Sequence, residues 1–173
     1  MTHKFACLAA AAALAFSAPA LADIGPSDAE IAHIAYTAGA LDAAAAKQAL
    51  QISQNKAVRE FAQTMLRDHE AVNGKALALV KKLGVTPAPN AVSASLSGQA
   101  DATMKKLATL RGAEFDRAYA ANEAAFHNAV NGALRTTLIP SADNGELKAL
   151  LETGLALFGE HQTHAEHLAA ELK

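Results

Sequence analysis

The stretch VREFAQTMLRDHEAVNGKALALVKKLG (Val58–Gly84) decides how the chain is read. Val58, Phe61, Met65, Val72, Leu79 and Leu83 recur at three-, four- and seven-residue steps, the spacing of one face of an α-helix. The place between Met65 and Val72 in that series is taken by His69, so an imidazole is expected on the inward face. Asn55 can cap the start of this helix, and Gly84 followed by Pro87 and Pro89 stops it.

Upstream, Ser27-Asp28-Ala29-Glu30 has the form of a capping box. Ile31, Ile34, Ala38, Leu41, Ala45 and Ile52 then predict a first helix to about Ser53. The short Ser53-Gln54-Asn55 link makes the two helices antiparallel neighbours. Downstream, GVTPAPNAVS (Gly84–Ser93) reads as a loop, followed by a shorter helix from about Ala94 to Leu110 with Leu96, Met104 and Leu107 as its contacts. Arg111-Gly112 breaks it. A third long helix is expected from about Ala113 to Leu138, with Phe115, Tyr119, Phe126, Val130 and Leu134 inward. The fourth opens at Gly145 and carries Leu147, Leu151, Leu155, Phe158, Leu168 and Leu172. No strand pattern and no repeat is present in the sequence. The expected fold is all-α, a four-helix bundle with an extra short connecting helix. Two antiparallel pairs with a long middle connection form the ferritin-like arrangement, and a simple up-down bundle with a decorated loop is the alternative.

The first residues, MTHKFACLAAAAALAFSAPALA (Met1–Ala22), have a short positive start, an apolar run from Phe5 to Phe16 and the small-residue site Ala20-Leu21-Ala22. This is the pattern of a general secretory signal peptide cut after Ala22. A single domain over residues 23–173, periplasmic or secreted, is the expectation, with no transmembrane segment in the mature chain. Cys7 is the one cysteine and leaves with the leader, so any metal must be held by nitrogen and oxygen. Without Lys4 the formal charge is about −3, too weak to suggest a nucleic-acid partner. Abundant alanine favours helices packed closely through small side chains. There is no Gly-x-Ser-x-Gly elbow and no glycine-rich phosphate loop to indicate a nucleotide or acyl-transfer site, and no protein partner is marked.

The chemistry lies where polar groups interrupt the apolar stripes. His69 completes the series of the second helix, and His161 that of the fourth. His127 sits beside Phe126 at the edge of the third stripe, and Asp42 beside Leu41 at the edge of the first. At about 1.5 Å of rise per residue, all four fall within roughly 8 Å of one another along the bundle axis. Three imidazoles and a carboxylate suit zinc, iron, copper or manganese. Glu123, one turn before His127, is a further ligand candidate, and Asp68 and Glu160 adjoin two of the histidines as supporting groups. The paired Glu-x-x-His motifs of di-iron bundles are lacking, which points to a mononuclear site. The competing reading is a non-catalytic envelope or stress protein in which these groups satisfy one another as a hydrogen-bonded layer without metal. His164 falls at the flank of the fourth helix and His167 nearer solvent, and His33 reads as a surface or capping residue.

Three segments, MLRDHEAVN (Met65–Asn73), FDRAYAANEAAFHNAV (Phe115–Val130) and LKALLETGLALFGEHQTHAEHL (Leu147–Leu168), resemble the secreted bacterial family called domain of unknown function 4142. Its members are often labelled outer-membrane proteins. The resemblance implies a ferritin-like fold and no settled activity. It points to Asp68, His69, Asp116, Tyr119, His127 and His161 as the family's shared positions. The chain departs from the pattern at Asp42, where the family more often has Glu, and at Gly159, near which it often has Pro.

Overall fold

The computed structural model describes residues 25–173; the leader read at residues 1–22 lies outside them. Five helices account for most of the described chain: α1 (Asp28–Ile52), α2 (Lys56–Leu83), α3 (Ala91–Ala108), α4 (Gly112–Ala133) and α5 (Gly145–Glu171). There is no strand among the described residues. α4 runs on through a π-helical turn (Leu134–Leu138) and a last turn (Ile139–Ser141).

The ends are set by the chemistry the sequence offers. Ser27 Oγ accepts from Glu30 N while the Glu30 carboxylate accepts from Ser27 N, closing the capping box of α1. Asn55 Oδ1 accepts from Ala57 N and Val58 N at the start of α2. Gly84, at φ 65°, ends that helix in the left-handed conformation that glycine adopts without strain. α3 begins three residues earlier than the sequence suggests, inside the stretch read as a loop. Asn90 Oδ1 accepts from Ser93 N at 3.0 Å and Ser93 Oγ accepts from Asn90 N at 3.2 Å, a capping box that uses Ser in place of Glu.

Contacts between the helix ends fix the topology. Asp28 accepts from the amides of Asp143 and Asn144, both at 2.9 Å, so α5 starts beside the start of α1. Ser53 Oγ donates to Asp116 Oδ1, so the start of α4 lies beside the end of α1. Ala88 N donates to Ala29 O and Gln48 Nε2 to Met104 O, laying α3 along α1 in the same direction. The long helices therefore run up, down, down and up, and α3 returns the chain between the two pairs. This topology, which settles the direction of the third long helix, is compatible with the ferritin-like arrangement.

Two apolar clusters fill the interior. One, around Phe61, Met65, Phe115, Tyr119 and Leu168, lies toward the α1–α2 turn. The other, around Ile31, Ile34, Leu134, Leu138, Leu147 and Leu151, lies toward the start of α1. α4 is turned relative to its expected stripe. Phe126 and Val130 are only partly buried, and Tyr119, Glu123, His127 and Asn131 face the centre.

The Ser53–Asp116 bond ties two helix ends together with both residues buried. Ser53→Ala removes the donor from a buried carboxylate and should cost about 1–3 kcal/mol in urea denaturation. A change below about 0.5 kcal/mol, the level of an ordinary surface substitution, would show that the bond contributes little.

Candidate metal centre

Between the two apolar clusters lies a layer of ionisable side chains. Asp42 of α1, His69 of α2, Glu123 and His127 of α4 and His161 of α5 are each no more than 4 % exposed. The rings of His69, His127 and His161 form a near-equilateral triangle, with centres 5.4, 5.5 and 5.6 Å apart. Asp42 Oδ2 stands 3.6 Å from both His69 Nε2 and His127 Nε2. The first-helix Asp, shorter than Glu, therefore still reaches the imidazoles.

Each ring is oriented by something outside the triangle. His127 Nδ1 lies 3.0 Å from the Glu123 carbonyl, the place for its N–H, which leaves the Nε2 lone pair facing Asp42. His161 Nε2 lies 3.1 Å from Asp68 Oδ2, and its buried Nδ1 has no partner in the chain. A carboxylate behind an imidazole in this way fixes the tautomer of a metal-binding histidine and raises its basicity. His69 has neither ring nitrogen bonded and lies flat against Phe158, centres 4.7 Å apart and planes 9° apart. Phe158 is held in turn: its carbonyl accepts from Asn131 Nδ2 at 3.0 Å, and the same amide donates to Gln162 Oε1.

Burial sets the protonation. It drives the pKa of His69 down to about 3 and that of His127 to about 4, the neighbouring imidazole charges adding to the effect. His161 is lowered for the same reason, against the opposing pull of Asp68. Burial also raises Asp42 to about 7 and pushes Glu123 well up, the nearby Asp42 charge adding to the rise in Glu123. Tyr119, one turn before Glu123, is raised by burial and by the charges of Glu123 and Asp42. The Arg67 guanidinium beside Asp68 holds its carboxyl below the usual range, so the group behind His161 stays ionised.

These groups could hold a metal ion. Ligand atoms of His69, His127 and His161 lie within 4.8 Å of one another, as do those of Asp42, Glu123 and His127. A tetrahedral ion about 2.1 Å from each nitrogen keeps the nitrogens about 3.4 Å apart, a distance that modest ring rotations can bring about. The donor set is nitrogen and oxygen without sulfur, and seven of its buried atoms have no hydrogen-bond partner in the chain.

The sequence model of the family described as "Domain of unknown function (DUF4142)" matches residues 10–168. The protein belongs to the DUF4142 family. The resemblance seen in the three segments is thereby borne out. No curated protein and no solved structure matches the chain.

The positions carried over from DUF4142 separate in space. His69, His127 and His161 share the layer, and Asp68 stands behind His161. Tyr119 is fully buried below Glu123 on α4. Asp116 lies apart, at the end of the bundle with Ser53. Glu160, expected to support His161, is exposed and makes no hydrogen bond to it. His164 is exposed, its ring edge-on to Phe61 at 5.0 Å, and His167 is exposed as well. Asn131 was not singled out from the sequence. Its signal is the strict four-residue step Tyr119, Glu123, His127, Asn131 along α4.

The two kinds of shift act on stability in opposite directions. The unfolded chain takes up protons on its imidazoles below about pH 6.5, so the His69 and His127 contributions are lost toward acid. The carboxyls are protonated in the fold but ionised in the unfolded chain above about pH 4, so their contribution is lost as pH rises through about 7. In metal-free protein, Asp42→Asn/Glu123→Gln removes only the second effect. Its stability relative to wild type should climb from pH 5 to pH 8, at up to about 1.4 kcal/mol per pH unit for each proton concerned. Urea titrations at each pH measure this, and a constant difference would mean that the carboxyls do not hold protons in the fold.

Proposed function

We propose that the protein binds one transition-metal ion at mid-bundle, with His69, His127, His161 and Asp42 as ligands and Glu123 adjoining them. The observation that carries this reading is the set of buried ligand atoms without hydrogen-bond partners: His127 Nε2, His161 Nδ1, the unprotonated ring nitrogen of His69 and the Asp42 carboxyl oxygens. A hydrogen-bonded layer without metal would bring these atoms within bonding distance of one another, whereas Asp42 Oδ2 stands 3.6 Å from both His69 Nε2 and His127 Nε2. Imidazole and carboxylate suit zinc, iron, copper or manganese. His161 is backed by Asp68 and His127 by a backbone carbonyl, the arrangement that supports a ligating histidine. The leader pattern at residues 1–22 supports a periplasmic or secreted location for the protein.

Metal analysis by mass spectrometry, on untagged protein recovered from the periplasm, tests the reading. Wild type should carry about one equivalent of one metal, and His69→Ala/His161→Ala none, with circular dichroism checking that the variant is folded. Stripping the wild type with chelator should lower its stability by about 2.7 kcal/mol relative to protein held with the ion at a hundred times its dissociation constant. Metal-free protein that takes up no zinc, iron, copper or manganese on dialysis would sink the proposal.

A further inference from the structure

The apolar clusters leave a sizeable space in the interior unfilled. Toward the α1–α2 turn, Phe61, Met65, Phe115 and Tyr119 close the core around the alanines of α1. Toward the other pole, Ala38 and Gly39 of α1, Ala76 of α2 and Gly154 of α5 border a cavity of about 680 Å³. That volume lies within the roughly 300–1,000 Å³ of small-molecule sites. α3 lies along α1 and touches α4 sparingly, so the cavity reaches the surface between those two helices. Exposed Val92 and Gln99 stand on one side of this opening, and exposed Ala125 and Ala129 on the other. Its inner wall includes Asp42, His69, Glu123 and His127.

The lining defines what would bind. It is mostly apolar, so an apolar body gains by leaving water. From Glu30, at the outer end of α1, to Asp42 the helix rises about 18 Å, which suits an elongated molecule. No Lys or Arg lines the cavity, and Glu30 is the acidic residue at its outer end, so nothing there recognises an anionic head. At the inner end both Asp42 oxygens and Glu123 Oε2 are buried without a partner, ready to bond a hydroxyl or carbonyl.

We propose that this cavity is a binding site for a neutral, elongated apolar molecule bearing one hydroxyl or carbonyl, with that oxygen lying against Asp42 and Glu123 beside the metal position. The placement of the oxygen next to an ion rests on the metal reading above. Occupancy of the cavity does not.

Metal-free protein is titrated with the neutral fluorophore phenylnaphthylamine, which is then displaced with dodecanol, dodecanoate or dodecyltrimethylammonium. One fluorophore should bind per chain, and dodecanol should displace it at least about tenfold more effectively than either charged analogue. Ala38→Leu, inside the cavity, and Ala129→Leu, at its opening, should each weaken binding about tenfold, with circular dichroism checking that each variant is folded. Absence of fluorophore binding, equal displacement by the charged analogues, or unchanged binding in both variants would overturn the proposal. His69→Ala/His161→Ala separates the two readings: fluorophore binding retained while metal uptake fails in every form leaves the cavity standing alone. In cobalt-loaded wild type, dodecanol should shift the visible absorption bands. Bands that do not move contradict the placement of the oxygen beside the ion.

Discussion

Five ionisable residues from four helices meet in one layer, and most of their inward-facing atoms have no partner in the chain. An unpaired buried polar group costs about 1–3 kcal/mol. Several of them together approach the whole net stability of an ordinary domain, about 5–15 kcal/mol. The layer is tolerated because burial keeps the imidazoles neutral and the carboxyls protonated, and because it is bounded on both sides by apolar clusters. The capped helix ends and the ties from Asp28 and Ser53 hold those clusters in register. The fold thus carries the layer as a constraint, and the positions of Phe158, Asn131 and Asp68 make sense as devices that aim its rings.

Much of this was legible in the sequence, and the parts that were not have a common cause. The helices of the second and fourth stripes follow their apolar spacing, and His69 and His161 sit where a gap in that spacing put them. In α4 the same reasoning chose Phe126 and Val130, because it assumes that the inward face is the apolar one. Here the inward face is Tyr119, Glu123, His127 and Asn131, and the bulky apolar residues flank it. Asp42, expected at the edge of the first stripe, is likewise central while Leu41 is only partly buried. Where a site occupies the core, polarity marks the inside and hydrophobic periodicity misplaces it. The start of α3 was missed for a different reason: two prolines preceding Asn90 read as loop, and its cap uses a serine where the familiar pattern has an acid.

Alanine illustrates how one compositional signal can have two outcomes. Abundant small residues suggest close helix packing, and in the half around Ala45, Ala46 and Ala49 that is what they give, because Phe61, Met65 and Phe115 fill the space opposite. In the other half Ala38, Gly39, Ala76 and Gly154 border a cavity, although Ile31, Ile34, Leu134, Leu138, Leu147 and Leu151 cluster there. Which partners face the small residues is a property of register and topology.

The number of acids in the layer has a consequence of its own. With Glu123 pushed well up, Asp42 raised to about 7 and the imidazoles neutral, the layer holds little net charge below about pH 7. A divalent cation that displaces two protons meets two carboxylates, and the sum is again zero. At neither end of that exchange does a bare charge stand in apolar surroundings, the state that costs most in a protein interior. A monovalent or trivalent ion taken up the same way would strand one unit of charge. On the metal reading proposed above, electroneutrality therefore favours a divalent ion.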